Sequence, residues 1–275
     1  MINDLFEFAV NCLYHSTINE KLLLTKQAKQ LADNHQLLMQ CCSEIVPIEQ
    51  VVFPESPMLV PPRDLPRRRL GTLSGRIALL HAVAHIEFYA IYLAWDIIYR
   101  FRGQSDQFYL DWLHVASDEA IHFALICDRL RELGSDYGQL PAHRGLWNVA
   151  VNTADDLLAR LALVPRYMEA RGLDATPGMV ERLIKHDDEI SAALLQRIVD
   201  DEVAHVRYGS EWFAHVCEQR CLNPEQAYFD CLEQYLQGTL RGPFNHDLRK
   251  QAGFSQAEIN QLETLSGRMF GSADE

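Results

Sequence analysis

No CxxC pair occurs anywhere in the chain. The seven cysteines, Cys12, Cys41, Cys42, Cys127, Cys217, Cys221 and Cys231, are odd in number and share no repeated spacing. That fits reduced thiols in a cytoplasm better than a disulfide framework, and it excludes a rubredoxin-type iron site. Cys217 and Cys221, four apart on an expected helix, read as small half-buried side chains. Basic charge is scarce as well. Against 38 Asp and Glu stand 25 Lys and Arg, a formal charge of −13, so general nucleic-acid binding is excluded by repulsion from phosphates. The N-terminal MINDLFEFAVNC carries acids where a signal peptide needs a basic region. No low-complexity tract and no strand-period pattern of any length is present.

One apolar run, Ile77 to Trp95, approaches the length of a membrane span, yet it holds His81, His85 and Glu87. An unpartnered carboxylate at mid-bilayer is costly, so the run reads as the central helix of a bundle, covered on all sides. The expected setting is the cytoplasm, with no membrane.

At 275 residues the chain can bury a sizeable core. Residues 1–46 read as one or two helices. Prolines 47, 54, 57, 61, 62 and 66 then exclude continuous helix and predict an extended strap, followed by Arg67, Arg68 and Arg69. Four long helices are expected: Leu73 to Arg102, Gln104 to Leu133, Thr153 to Arg171, and one from Asp187-Asp188 past Trp212. Gly134 closes the second, and Gly172 reads as a C-cap of the third, with a short helix restarting at Thr176-Pro177. Gly134 to Asn152 suits a crossover connection. Smaller helices are expected near 224–237 and 256–268, around an irregular RGPFN turn. The organisation read is 1–70 as helices and strap, 71–220 as the bundle, and 221–275 as a helical extension of it.

Two segments read DExxH: Asp118-Glu119-Ala-Ile-His122 and Asp201-Glu202-Val-Ala-His205. Residues three apart share a helix face, so each segment can aim a carboxylate and an imidazole at one metal ion. Each is preceded by a glutamate at matched distance, Glu87 by 32 residues and Glu169 by 33. A helix–turn–helix repeated twice would bring each pair level, which is the two-metal plan of carboxylate bundles. Glu87 lies in the most apolar stretch, where only a partner such as a cation offsets its desolvation. Asp155 or Asp156 could stand in for Glu169, although both read as first-turn acids. Asp118 and Asp201 recur with the motif and suit carboxylates that orient the ligating imidazoles, each for the histidine of the opposite segment. Carboxylate and imidazole donors without thiolate favour iron or manganese over structural zinc.

Other residues read as structural. His81 and His85 suit core hydrogen bonding; Tyr92, Tyr109 and Tyr208 suit packing. Arg63 with Arg67 to Arg69 would pin the strap to an acidic bundle, or meet an anionic partner. Pro165 should kink its helix four residues before Glu169.

The ligand pattern Glu87, Glu119-xx-His122, Glu169, Glu202-xx-His205 resembles the ferritin-like superfamily, in the symmetric form of bacterioferritin and the bacterial di-iron oxidases. The stretches HAVAHIEFYAIYLAWD, ASDEAIHF, LPAHRGLWN, TADDLLARLALVPRYMEARGLDATP and DDEVAHVRYG resemble a bacterial family of ferritin-like proteins known mainly as a domain of unknown function. That resemblance covers residues 65–255. It implies an all-α, ferritin-like four-helix bundle with a long crossover and extra terminal helices, holding two iron ions, or Fe/Mn or Mn/Mn. The activity expected is an oxidoreductase using O2 or peroxide on an unidentified substrate with an external electron donor, in the manner of ferritin-like tRNA hydroxylases. The alternative is an iron-binding, ferroxidase or peroxide-scavenging protein. A homodimer is one expected assembly.

Overall fold

The computed structural model describes residues 2–14, 17–39, 53–65, 69–236 and 238–270, and these are all-α apart from one two-residue strand pair. Cys41, Cys42, Pro47, Pro66, Arg67 and Arg68 lie outside the described residues. The chain divides into two compact units, Met1–Asn148 and Val149–Glu275.

In the first unit, α1 (Leu5–Tyr14) and α2 (Ile18–Asp33) flank a hairpin of α3 (Leu73–Arg100) and α4 (Asp106–Glu132). Thr72 and Ser105 cap the two long helices, accepting from the N–H of Gly75 and Phe108. Gly103, at φ 77°, sits in the turn between them, and Gly134, at φ 78°, ends α4. Every residue of α3 from Glu87 to Tyr99 is buried, so its membrane-like composition is that of an enclosed core helix.

The strap attaches through backbone. Val60 N–H donates to the Ala142 carbonyl at 2.8 Å, and Ala142 N–H donates to Met58 at 3.0 Å. Arg63 does not act as the expected pin among the described residues: it is solvent-exposed, and its ion pair is with its neighbour Asp64, at 3.8 Å. An exposed pair of that kind contributes little, whereas backbone bonds fix register.

His81 and His85 hold the connection after α4 onto α3. His81 Nε2 accepts from the N–H of Gly138 at 3.0 Å. His85 Nε2 lies 2.9 Å from the His143 carbonyl and therefore donates, which leaves Nδ1 to accept from the Tyr137 hydroxyl at 2.8 Å. Both rings must stay neutral to do this, and burial pushes both pKa values down to about 4 from 6.5. As pH falls below 6.5 the unfolded chain takes up protons that the folded one refuses, so stability drains from there towards pH 4. Between pH 7 and pH 5 the loss is roughly 2 kcal/mol per histidine. Denaturant midpoints across that range should show it, and His81→Gln should flatten the slope.

The division falls within α5 (Gly145–Asn152), and in the second unit the next helix is continuous through three segments: α6 (Leu157–Leu163), a π-helical stretch Val164–Glu169, and α7 (Ala170–Ile184). It pairs with α8 (Glu189–Gln219). The helix expected to end at Gly172 and restart at Thr176-Pro177 does neither. Gly172 is not left-handed, and Pro177 lies inside α7. The interruption occurs earlier, at Pro165, whose missing N–H and ring are absorbed by widening the turns to π geometry. Gly209 of α8 makes room for this: a Cβ there would fall 2.4 Å from Pro165 Cβ. Gly209→Ala should cost about 1–3 kcal/mol, read as a lowered melting temperature.

The remaining elements are α9 (Pro224–Tyr235), α10 (His246–Gln251) and α11 (Gln256–Thr264), with β1 (Gly238–Thr239) antiparallel to β2 (Met269–Phe270). The strand pair and α10 are additions to the sequence reading; both are too short to leave a periodic signal.

Candidate metal centre

Equal arm lengths in the first hairpin put its three candidate ligands at one level. Glu87 lies 13 residues before Arg100, and Glu119 lies 13 residues after Asp106. Their ligand atoms and those of His122 lie within 4.8 Å of one another, and all three side chains are buried. His122 Nδ1 stands 3.1 Å from Glu87 Oε2 and 3.8 Å from Glu119 Oε2.

The protonation of this cluster follows from burial. Desolvation, reinforced by the charge of Glu119, lifts the Glu87 carboxyl to about 8. Desolvation alone would lower His122, but Glu119 and Glu87 outweigh it and raise the imidazolium to about 11. Protons therefore hold the cluster together at neutral pH, and a divalent cation would displace them. Affinity should accordingly rise with pH through 8 and beyond it, because His122 must lose its proton as well, measured by titration of Mn(II) or anaerobic Fe(II).

In the second hairpin, Asp188 caps α8, which carries Glu202 and His205. Both are buried, with His205 Nδ1 3.5 Å from Glu202 Oε2. That oxygen is enclosed and accepts no hydrogen bond among the described residues. A buried carboxylate oxygen short of a donor fits a cation partner. Glu169 closes the π stretch. Pro165, four residues before Glu169, rests on Gly209, four residues after His205. Among the described residues, neither Glu169 nor His205 falls in a cluster of three ligating groups.

Asp156 is occupied elsewhere. It caps α6 through Leu158 N–H at 3.0 Å and pairs with Arg220 at 2.8 Å, while Asp155 is exposed before the helix begins. Asp118 stands 3.6 Å from His114, and Asp201 stands 3.9 Å from Arg197, both partly exposed. Tyr92 is packed in the core, and Tyr109 donates to the Phe101 carbonyl in the α3–α4 turn.

Residues 14–260 match the family model described as "Protein of unknown function (DUF455)". The chain belongs to the DUF455 family. This DUF455 protein is 42% identical over 227 residues to an uncharacterized protein of Haemophilus influenzae, covering 80% of this chain and 79% of that one. No solved structure matches it.

The DUF455 chain also uses residues that the sequence reading passed over. Arg166, inside the π stretch, is buried between the rings of Phe213, Tyr228 and Phe254 at 4.5–4.7 Å and meets Glu258 at 2.7 Å. Tyr228 donates its hydroxyl to the Arg166 carbonyl at 3.2 Å. Arg249 makes a second buried pair, forked onto Asp174 at 2.9 and 2.7 Å. These pairs fasten the C-terminal segments to the helix that bears Glu169. Their partners are 92 and 75 residues apart, so no local pattern could have disclosed them.

Proposed function

We propose that this DUF455 protein is a ferritin-like di-metal carboxylate protein, its long helices forming a four-helix bundle, and that it acts as an oxidoreductase. The six ligands would be Glu87, Glu119, His122, Glu169, Glu202 and His205, with iron as the first expectation and Fe/Mn or Mn/Mn as variants. One observation carries the reading: three buried ligating groups, Glu87, Glu119 and His122, converge in an apolar hairpin. The second hairpin repeats the glutamate-then-ExxH order at nearly the same spacing. Nothing structural is gained by burying two carboxylates around one imidazole, because each costs more in desolvation than the contact returns. A cation reverses that balance.

When bound, a pair of redox-active ions supplies electrons and open coordination positions for O2 or peroxide. The chain's own residues do the rest. Glu87, Glu119, Glu169 and Glu202 would provide anionic oxygens, His122 and His205 would provide imidazole nitrogens, and the buried faces of α3 and α4 exclude water. Asp118 and Asp201 would orient the imidazoles. Free thiols at Cys12, Cys127, Cys217 and Cys231 are compatible with a reducing compartment.

The test is oxygen uptake by protein reconstituted anaerobically with Fe(II), followed with an oxygen electrode. Uptake that depends on Glu202, and is lost in Glu202→Gln, is the expected result. Uptake indistinguishable from free Fe(II) in buffer would refute the reading. Size-exclusion chromatography separates this function from iron storage, since storage needs a very large hollow assembly.

A further inference from the structure

A cavity of about 750 Å³ opens in the first unit among the start of α2, the strap and the outer half of α4. That volume suits a small organic molecule. Its apolar wall includes Phe53, Phe123 and Tyr137, and its edge carries three carboxylates, Glu55, Asp128 and Asp136, against one guanidinium, Arg131. Arg131 is already committed, lying 2.7 Å from Asp128 and 3.5 Å from Asp136.

The orientation of Tyr137 decides what the wall offers. Its hydroxyl is donated to His85, so the phenol proton is already partnered by a residue outside the lining. Phe123 packs on Tyr137 at 5.0 Å and on Phe88 at 5.1 Å. Phe88 follows Glu87 in sequence, and Phe123 follows His122. The aromatic partition therefore stands on the same stretches of α3 and α4 that carry the buried ligands. Cys127, the other polarisable group in the lining, is buried.

Aromatic faces with an excess of carboxylates recognise cations: the ring quadrupole and the acids attract the same charge, and an apolar body fills the remainder. We propose that this cavity binds an organic cation, an amine or quaternary ammonium on an apolar or aromatic body, and presents it at the Phe88–Phe123–Tyr137 partition. That the bound cation serves the metal centre rests on the function proposed above; that the cavity takes a cation does not.

Calorimetric titration of the full chain with benzyltrimethylammonium, with benzoate as the charge-reversed probe at equal ionic strength, tests this. Saturable single-site binding of the ammonium is expected, with none of benzoate. The double substitution Glu55→Gln, Asp128→Asn should weaken the ammonium by about tenfold or more and, by releasing Arg131, improve benzoate. Both positions are on the rim, and an unchanged melting curve shows that the variant folds. Absence of saturable ammonium binding, equal binding of benzoate, or indifference to the double substitution would each overturn the proposal. Metal content is measured in the same samples. Ammonium binding without metal uptake leaves the cavity's assignment standing and removes the di-metal reading; metal uptake without ammonium binding does the reverse.

Discussion

Glu119→Gln is expected to abolish metal loading and, with it, the stabilisation that metal gives the parent. The two halves of that expectation have one cause. Glu119 is fully buried 3.8 Å from His122, and its charge raises the Glu87 carboxyl. Without a cation the carboxylate faces the His122 imidazolium beside a protonated Glu87, and an amide of the same shape keeps the packing while it lets His122 shed its proton. With a cation it is a ligand. Losing an outer-shell partner of a metal ligand already costs 10–100-fold in affinity, so losing the ligand itself should exceed about 100-fold. At ligand concentrations near 100 times Kd, metal binding contributes about 2.7 kcal/mol to stability. Melting temperature should therefore rise by several degrees with Fe(II) or Mn(II) in the parent and not at all in the variant. A variant that still gains the full shift would show that Glu119 is no ligand.

Arg166→Ala should be the most damaging single change away from the metal ligands. It leaves Glu258 buried and uncompensated, at a cost of about 3–5 kcal/mol, and it also removes the cation that three aromatic rings surround. The same change frees the π stretch that ends at Glu169, so metal affinity should fall along with stability. Charge, and not merely volume, is the cause proposed. Arg166→Met with Glu258→Leu should recover most of the stability, because an apolar pair of similar size avoids the desolvation that the lone carboxylate suffers. Denaturant unfolding of the parent, both single variants and the double variant closes the cycle; no recovery in the double variant would mean that the rings, and not the ion pair, dominate.

Much of this was legible in the sequence because its signals are local. The α3, α4 and α8 boundaries fall close to the expected ones, since Ser105, Asp188 and Gly134 cap or stop their helices by short-range hydrogen bonding and backbone sterics. The third helix was misread for an equally local reason. Gly172 and Pro177 carry the usual signs of an end and a restart, but packing of the helix on α8 overrides them, and the strain is taken up at Pro165 instead. Within the candidate site, a glutamate with ExxH at helical spacing discloses Glu87, Glu119 and His122, because their convergence needs only two arms of equal length. The tether of Arg166 to Glu258 and the hold of His81 and His85 on the connection after α4 depend on contacts between distant segments. Sequence could name the hydrogen-bonding residue type at His81 and His85, and no more than that.

Counting bound metal tests the central claim most directly. Protein made metal-free by chelation, reloaded anaerobically with Fe(II), desalted and analysed for iron should hold two ions per chain. The parallel samples of Glu119→Gln and His205→Ala should each fall below that number. Retention of no iron by the parent, or of the same iron by parent and variants, would contradict the account.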